Sequence, residues 1–185
     1  MKIINIIIPI LIIFLISFSV VDKAYSYQQV IKEKSILAKY LNNKKSNNKI
    51  NEYNAILVVP KLKLKKGIYN KNNDLNNVNK NVTLIYPDNF NNINNHTIII
   101  AAHSGSSLIS YFHNLDILDI DDKIYLYHDN MKYIYKVIQK YEIDKNGKLQ
   151  YIEDGRSLLY LTTCSENHRN KQLVIVSLLD TDNNS

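Results

Sequence analysis

From residue 55 onward the apolar residues come in short pieces, and that pattern limits the fold more than any other feature. The pieces are Ala55–Val59, Val82–Tyr86, Thr97–Ala102, Lys123–Tyr127, Tyr133–Gln139, Leu158–Thr163 and Leu173–Leu179. Each runs five to seven residues and is rich in Ile, Val, Leu and Tyr, the length and composition of strands. Two of them, Lys123–Tyr127 and the stretch around Tyr133–Val137, alternate polar and apolar residues. His128-Asp129-Asn130-Met131 between them reads as a hairpin turn, and Asn146-Gly147 as another turn. One short helix is expected at Ser107–Leu115. Asn70–Asn95, outside Val82–Tyr86, is Asn-rich and is expected to be surface loop. The pattern predicts an all-β barrel or sandwich of seven or eight strands with one or two short helices.

The first 23 residues have another character. Residues 3–21 hold fifteen apolar residues in nineteen and no charge. Nineteen residues of helix nearly cover a hydrocarbon core of about 30 Å. The run can be an uncleaved signal-anchor, a cleavable signal peptide ending near Ala24-Tyr25-Ser26, or a buried core helix. It is longer than the apolar core of a usual signal peptide and has no polar face, which favours the anchor. The expected organisation is a cytoplasmic tip and transmembrane anchor at 1–23 and a basic tether at 24–52. A β-domain at 53–181 and a tail at 182–185 complete it. The expected location is a single pass in the cell membrane with the β-domain outside.

Charge follows the same division. The chain of 185 residues carries a net +6. The segment 22–66 has eleven Lys against three acids, whereas 67–185 is acidic by three. The basicity therefore belongs beside the membrane, where it suits anionic lipid or wall polymer. A nucleic-acid partner is not expected, because the body lacks a basic face.

The chemistry-bearing residues are few. One Cys excludes an intrachain disulfide and any multi-Cys metal site. There is no phosphate-loop or dinucleotide fingerprint, no H-x-x-x-H pair and no G-x-S-x-G. No metal or cofactor is expected. The lone Cys164 closes the apolar run Leu158–Cys164 where a polar loop begins, with Arg169 and Lys171 close by in sequence. Such a site exposes the sulfur and favours thiolate, although a lone Cys is also a common small core residue. His103 occupies an analogous place, after Thr97–Ala102 and before Ser104-Gly105-Ser106-Ser107. It is a candidate base or acid for Cys164. The two are 61 positions apart, so only the fold can join them. His96, His113, His128 and His168 read as exposed and incidental. A thiolate attacking a carbonyl needs charge or N–H donors at the developing oxyanion. Of the two arginines, Arg169 is the better candidate, because Arg156 falls in the turn Asp154-Gly155-Arg156. Asp119, Asp121 and Asp122 read as a turn rather than a calcium site.

An apolar N-terminal run, Val59-Pro60-Lys61-Leu62, a strand ending in Ala102-His103, and Leu161-Thr162-Thr163-Cys164 before a last apolar strand occur here in that order. Over about residues 55–180 this resembles the sortase family. The resemblance implies a closed β-barrel with His and Cys at adjacent strand ends. It implies a cysteine transpeptidase that cuts an LPxTG-like sorting signal after Thr and holds the acyl chain as a thioester. An amine of a cell-wall precursor or a pilin lysine then resolves that thioester. By resemblance Cys164 is the nucleophile and His103 the general acid/base. Two positions depart from the pattern. Tyr160 replaces the first Thr of the Cys motif, and Gln172 stands where the family Arg usually opens the last strand. The oxyanion-stabilising role is therefore carried to Arg169, with Gln172 as a neutral alternative donor. Two other readings remain: a non-enzymatic exported β-domain that binds a wall component, and a cysteine hydrolase without an amine acceptor.

Overall fold

A computed structural model describes residues 53–181 apart from 89, 91, 92, 146 and 147, and ten positions before residue 44 (8, 20, 24, 27, 28, 31, 34, 35, 37 and 38). The anchor and tether expected at 1–52, the Asn146-Gly147 turn and the tail fall largely or wholly outside those residues. The chain divides into two units, Met1–Asn43 and Lys44–Ser185. In the first, the described positions have helical backbone. Among the described residues no helix is long and apolar enough to cross a membrane.

The second unit is built from eight strands: β1 (Ala55–Val59), β2 (Leu64–Ile68), β3 (Thr83–Tyr86), β4 (Ile98–Ala101), β5 (Lys123–His128), β6 (Met131–Asp144), β7 (Leu158–Cys164) and β8 (Lys171–Leu179). They form one sheet in the order β2-β1-β5-β6-β8-β7-β4-β3. The seven expected strands are all present. The eighth, β2, was not anticipated, because its sequence Leu-Lys-Lys-Gly-Ile has little apolar character. It is an edge strand, paired only with β1 (Val59 opposite Leu64), and lysines suit an edge. Gly67 within it leaves room for Tyr53. A Cβ on Gly67 would lie 2.2 Å from Tyr53 Cδ1.

The sheet curls into a nearly closed barrel, short of the full closure the resemblance implied, since β2 and β3 are its two edges. Asn81 helps to bridge the seam. Its Nδ2 donates to Gly67 O (3.2 Å) and its Oδ1 accepts from Val82 N (2.9 Å). The core inside the sheet holds Leu57, Leu84, Ile100, Phe112, Leu126, Tyr135, Leu161 and Ile175, among others. Each such Leu, Ile or Phe stabilises the fold by about 1.5–3 kcal/mol on burial. A second, smaller apolar cluster on the outer face joins Ile99, Leu158, Tyr160, Val174 and Val176. Strands β4 and β7 are therefore apolar on both faces, as parallel neighbours usually are, and they run parallel here.

Two local expectations need correction. Ser107–Leu115 does not form a helix. It is a series of turns followed by a 3-10 turn at Leu115–Ile117. Serine side chains compete for the backbone there: Ser110 Oγ donates to Ser104 O (2.9 Å) and shares a bond with Ser107 Oγ (2.7 Å). His128 is buried rather than exposed, with Nδ1 2.7 Å from Asn54 O. The hairpin beside it is as expected. Asp129 and Asn130, at φ 46° and 63°, form its two-residue turn, the left-handed pair that matches strand twist.

Candidate active site

Strands β4 and β7 lie side by side in parallel, with Ile98 opposite Leu159 and Ala101 opposite Thr162. The contact continues past the end of β4. Ala102 N donates to Thr162 O (3.3 Å), and the Thr163 hydroxyl donates to Ala102 O (2.8 Å). His103 and Cys164 follow, each two residues beyond the Ala101–Thr162 pair, so both lie at one rim of the sheet. A parallel pair needs a long crossover, and residues 102–157 supply it. The 61-residue gap in sequence thus becomes adjacency in space.

Cys164 is the last residue of β7, a free and half-buried thiol. It borders a cavity of about 300 Å³ whose walls include Phe112, Leu115, Lys140, Glu142, Glu166 and Leu173. On its other side β8 runs antiparallel, and Gln172 is the residue directly opposite Cys164. Gln172 Nε2 donates to Thr162 Oγ1 (2.6 Å), which donates to Leu173 O (3.0 Å). Arg169 lies three residues earlier, exposed on the β7–β8 loop. A bond from Lys171 N to His168 O (2.9 Å) turns the chain there.

His103 is half-buried, and its Nε2 lies 2.9 Å from Asn79 Oδ1. With the amide oxygen as acceptor, the imidazole carries a proton on Nε2 and, when neutral, its lone pair on Nδ1. Asn79 comes from the Asn-rich β2–β3 segment. That segment is loop, as expected, but its asparagines do structural work. Asn76 Oδ1 accepts from Leu84 N (2.7 Å) while its Nδ2 donates to Leu84 O (3.1 Å), which docks the loop against β3.

Carboxylates secure the surroundings. Glu142 on β6 accepts from Ser165 Oγ (2.6 Å) and pairs with His168 Nδ1 (2.8 Å). The Ser165 bond, and with it that of His168, hold its carboxyl below the usual range against the opposing effect of partial burial. Lys140 Nζ donates to Asp116 O and Leu118 O (2.9 Å each) beside the cavity. Among the described residues no group of His, Cys, Asp and Glu could hold a metal ion.

The sortase-domain family model matches residues 57–179. The chain belongs to the sortase family. A comparison with curated proteins finds no match, but solved sortases share the fold. Sortase C-1 of Actinomyces oris is 18% identical with a TM-score of 0.60, over 82% of this chain and 98% of that one. Listeria monocytogenes sortase A is 20% identical with a TM-score of 0.58, over 70% and 88%. Streptococcus agalactiae sortase C1, solved in complex with MTSET, is 17% identical with a TM-score of 0.61, over 84% and 89%.

In this sortase, then, the fold brings two of the three residues singled out in the sequence to one rim, Cys164 and His103. The third, Arg169, is on the adjoining loop, while Gln172 holds the strand position across from Cys164. Sequence reasoning missed Asn79, Glu142 and Glu166. Glu166 had a signal in being two residues past Cys164. Asn79 had none among its many like neighbours. His113 and His168, taken as incidental, are the imidazole partners of Glu166 and Glu142. Asp119 and Asp122, read as a turn, also bind Lys61 Nζ at 2.8 Å each. Arg156 lies on Asp154, as a local turn would have it.

Proposed function

We propose that the chain is a membrane-anchored cysteine transpeptidase that cleaves an LPxTG-like sorting signal and transfers its acyl part to an amine. The observation that carries this reading is the parallel β4–β7 ladder that delivers His103 and Cys164 to the same rim. The Cys164 thiolate attacks the carbonyl carbon of the signal's Thr, and the C–O π pair moves to oxygen. Collapse of the tetrahedral adduct breaks the Thr–Gly C–N bond. His103 gives its proton to the departing amine, leaving a thioester on Cys164. An amine of a peptidoglycan precursor or a pilin lysine then attacks the thioester carbonyl. It yields its proton to His103 and expels Cys164 as thiolate. N–H donors at the oxyanion come from Arg169 or, by its place opposite Cys164, from Gln172. The cavity beside Cys164 suits the bound peptide. Ile8 and Val20, described positions of the apolar N-terminal run, are helical and exposed. A lipid-facing anchor would present its apolar side chains in this way.

Mass spectrometry of the folded domain after incubation with LPxTG-like peptides tests the reading. Wild type should gain the acyl mass on Cys164, and Cys164→Ala should gain none. Product analysis with and without added amine separates transfer from simple hydrolysis. A thiol that no peptide in the library acylates would defeat the proposal and favour a binding domain.

A further inference from the structure

We propose that Glu166 is a positioning residue, which fixes the separation of Cys164 and His103 by tying together the two loops that leave them. The inference rests on the transpeptidase reading of that pair. The β7–β8 loop begins after Cys164, and Glu166 is its second residue. Across the rim, the segment that begins at His103 returns on itself, since Phe112 N donates to His103 O (3.0 Å). Glu166 Oε1 meets that segment at both of its ends. It accepts from Gly105 N (3.1 Å), two residues after His103, and from Asn114 N (3.4 Å), two residues after Phe112. His113 Nδ1 lies 3.1 Å from the same oxygen. One carboxylate oxygen therefore gathers two backbone N–H groups and an imidazole from the His103 side.

The backbone is shaped for this contact. Gly105 has φ +97° and Asn114 φ +58°, left-handed conformations that Gly and Asn adopt at least cost. They let both N–H groups converge on one point. Burial works against the ionised form of Glu166, yet the bonds from Gly105, His113 and Asn114 outweigh it and hold the carboxyl below its usual range. The tie is a charge-assisted one, stronger than a neutral equivalent. Glu142 anchors the other side of the same loop through Ser165, so the start of the β7–β8 loop is held between β6 and the His103 segment. A shift of about 1 Å between reacting groups can cost on the order of 100-fold in rate, and a tie that spans the rim resists such a shift.

The test is single-turnover acylation of the purified full chain by an accepted peptide, with thermal unfolding in parallel. Glu166→Ala should lower the acylation rate constant by about 10- to 100-fold and leave KM within about twofold, because geometry and not peptide affinity is lost. Glu166→Gln keeps one acceptor oxygen without its charge and should fall between Ala and wild type. It also keeps the test open if the Ala variant unfolds. His113→Ala should cost less in the Glu166→Ala background than in wild type, since both act through one tie. An acylation rate within about twofold of wild type in Glu166→Ala would overturn the inference. So would a raised KM with the rate constant intact, which would mark Glu166 as a peptide contact. Failure of wild type itself to acylate would instead strike the transpeptidase reading.

Discussion

The ends of β7 and β4 present neighbouring side chains by different means. Cys164 is a strand residue. It sits in the ladder opposite Gln172, so hydrogen bonds along β7 and β8 set its backbone. His103 lies two residues past the end of β4. Its place depends on Phe112, on Asn79 and on the Thr163 bond to Ala102. The thiol's position is thus set by the sheet, whereas the imidazole's position is set by bonds from three separate loops and strands, one of backbone and two of side chains. Changes away from the reacting atoms should therefore reach His103 more easily than Cys164.

The comparison can be broken or sharpened by substitution. Removing the imidazole is the largest perturbation. His103→Ala should slow acylation by about 10²–10⁴-fold, the usual range for a general acid or base, and single-turnover kinetics will show whether it does. Next comes the proposed oxyanion donor. Arg169→Ala should lower turnover with peptide affinity kept, by up to about 100-fold if it supplies the principal donor. Wild-type turnover in that variant, with the loss appearing in Gln172→Ala, moves the role to the strand position. Such a result would extend the ladder's control from the nucleophile to the oxyanion. Asn79→Ala removes one oriented acceptor from His103 and should cost several-fold in acylation, about 1 kcal/mol. Alkylation of Cys164 by a small neutral reagent should change less. If both change alike, the two ends are not independently held. Thr163→Val, at the joint between the strands, should cost about 1 kcal/mol of stability in urea unfolding, because Ala102 O loses a buried donor.

Acid provides a gentler probe of the same loops. The Glu142 carboxyl is held below its usual range, chiefly by the Ser165 hydroxyl and, after some burial that opposes it, by His168. A depressed carboxyl contributes stability at pH values above its unfolded pKa, and loses it as pH falls through the lower folded value. Glu142→Gln should therefore flatten the fall in Tm below about pH 4, a small effect for a group near solvent.

The fold was legible where its signals are local. Ala55–Val59 coincides with β1, and the two-residue hairpin after His128 lies where its turn residues stand. Apolar runs buried on both faces, such as Leu158–Cys164, are distinguished from a buried helix by their short length and polar flanks. What escaped was set by distant partners. Strand β2 exists because β1 offers it a ladder, not because Leu64-Lys65-Lys66-Gly67-Ile68 favours a strand. Ser107–Leu115 contains apolar residues at helical spacing, yet Phe112 and Leu115 reach the core from turns. In the site, Cys164 and His103 were readable because each ends an apolar run at a polar loop. Glu166 was marked only by its place two residues past Cys164, because its partners Gly105 and His113 are 61 and 53 residues away.

The β4–β7 pairing also orders events in time. Strand β7 enters the sheet between β4 and β8, and β7 and β8 are the last two strands along the chain. A chain emerging from its amino end can pair β1 with β2 and β5 with β6 early, through short separations. The rim that joins Cys164 to His103 must wait for a closure across 61 residues, the kind of contact that slows folding. Until then the thiol and the imidazole are strangers on one polymer. In that interval the cysteine stands apart from the imidazole, and the rim is complete only with the final strands in place.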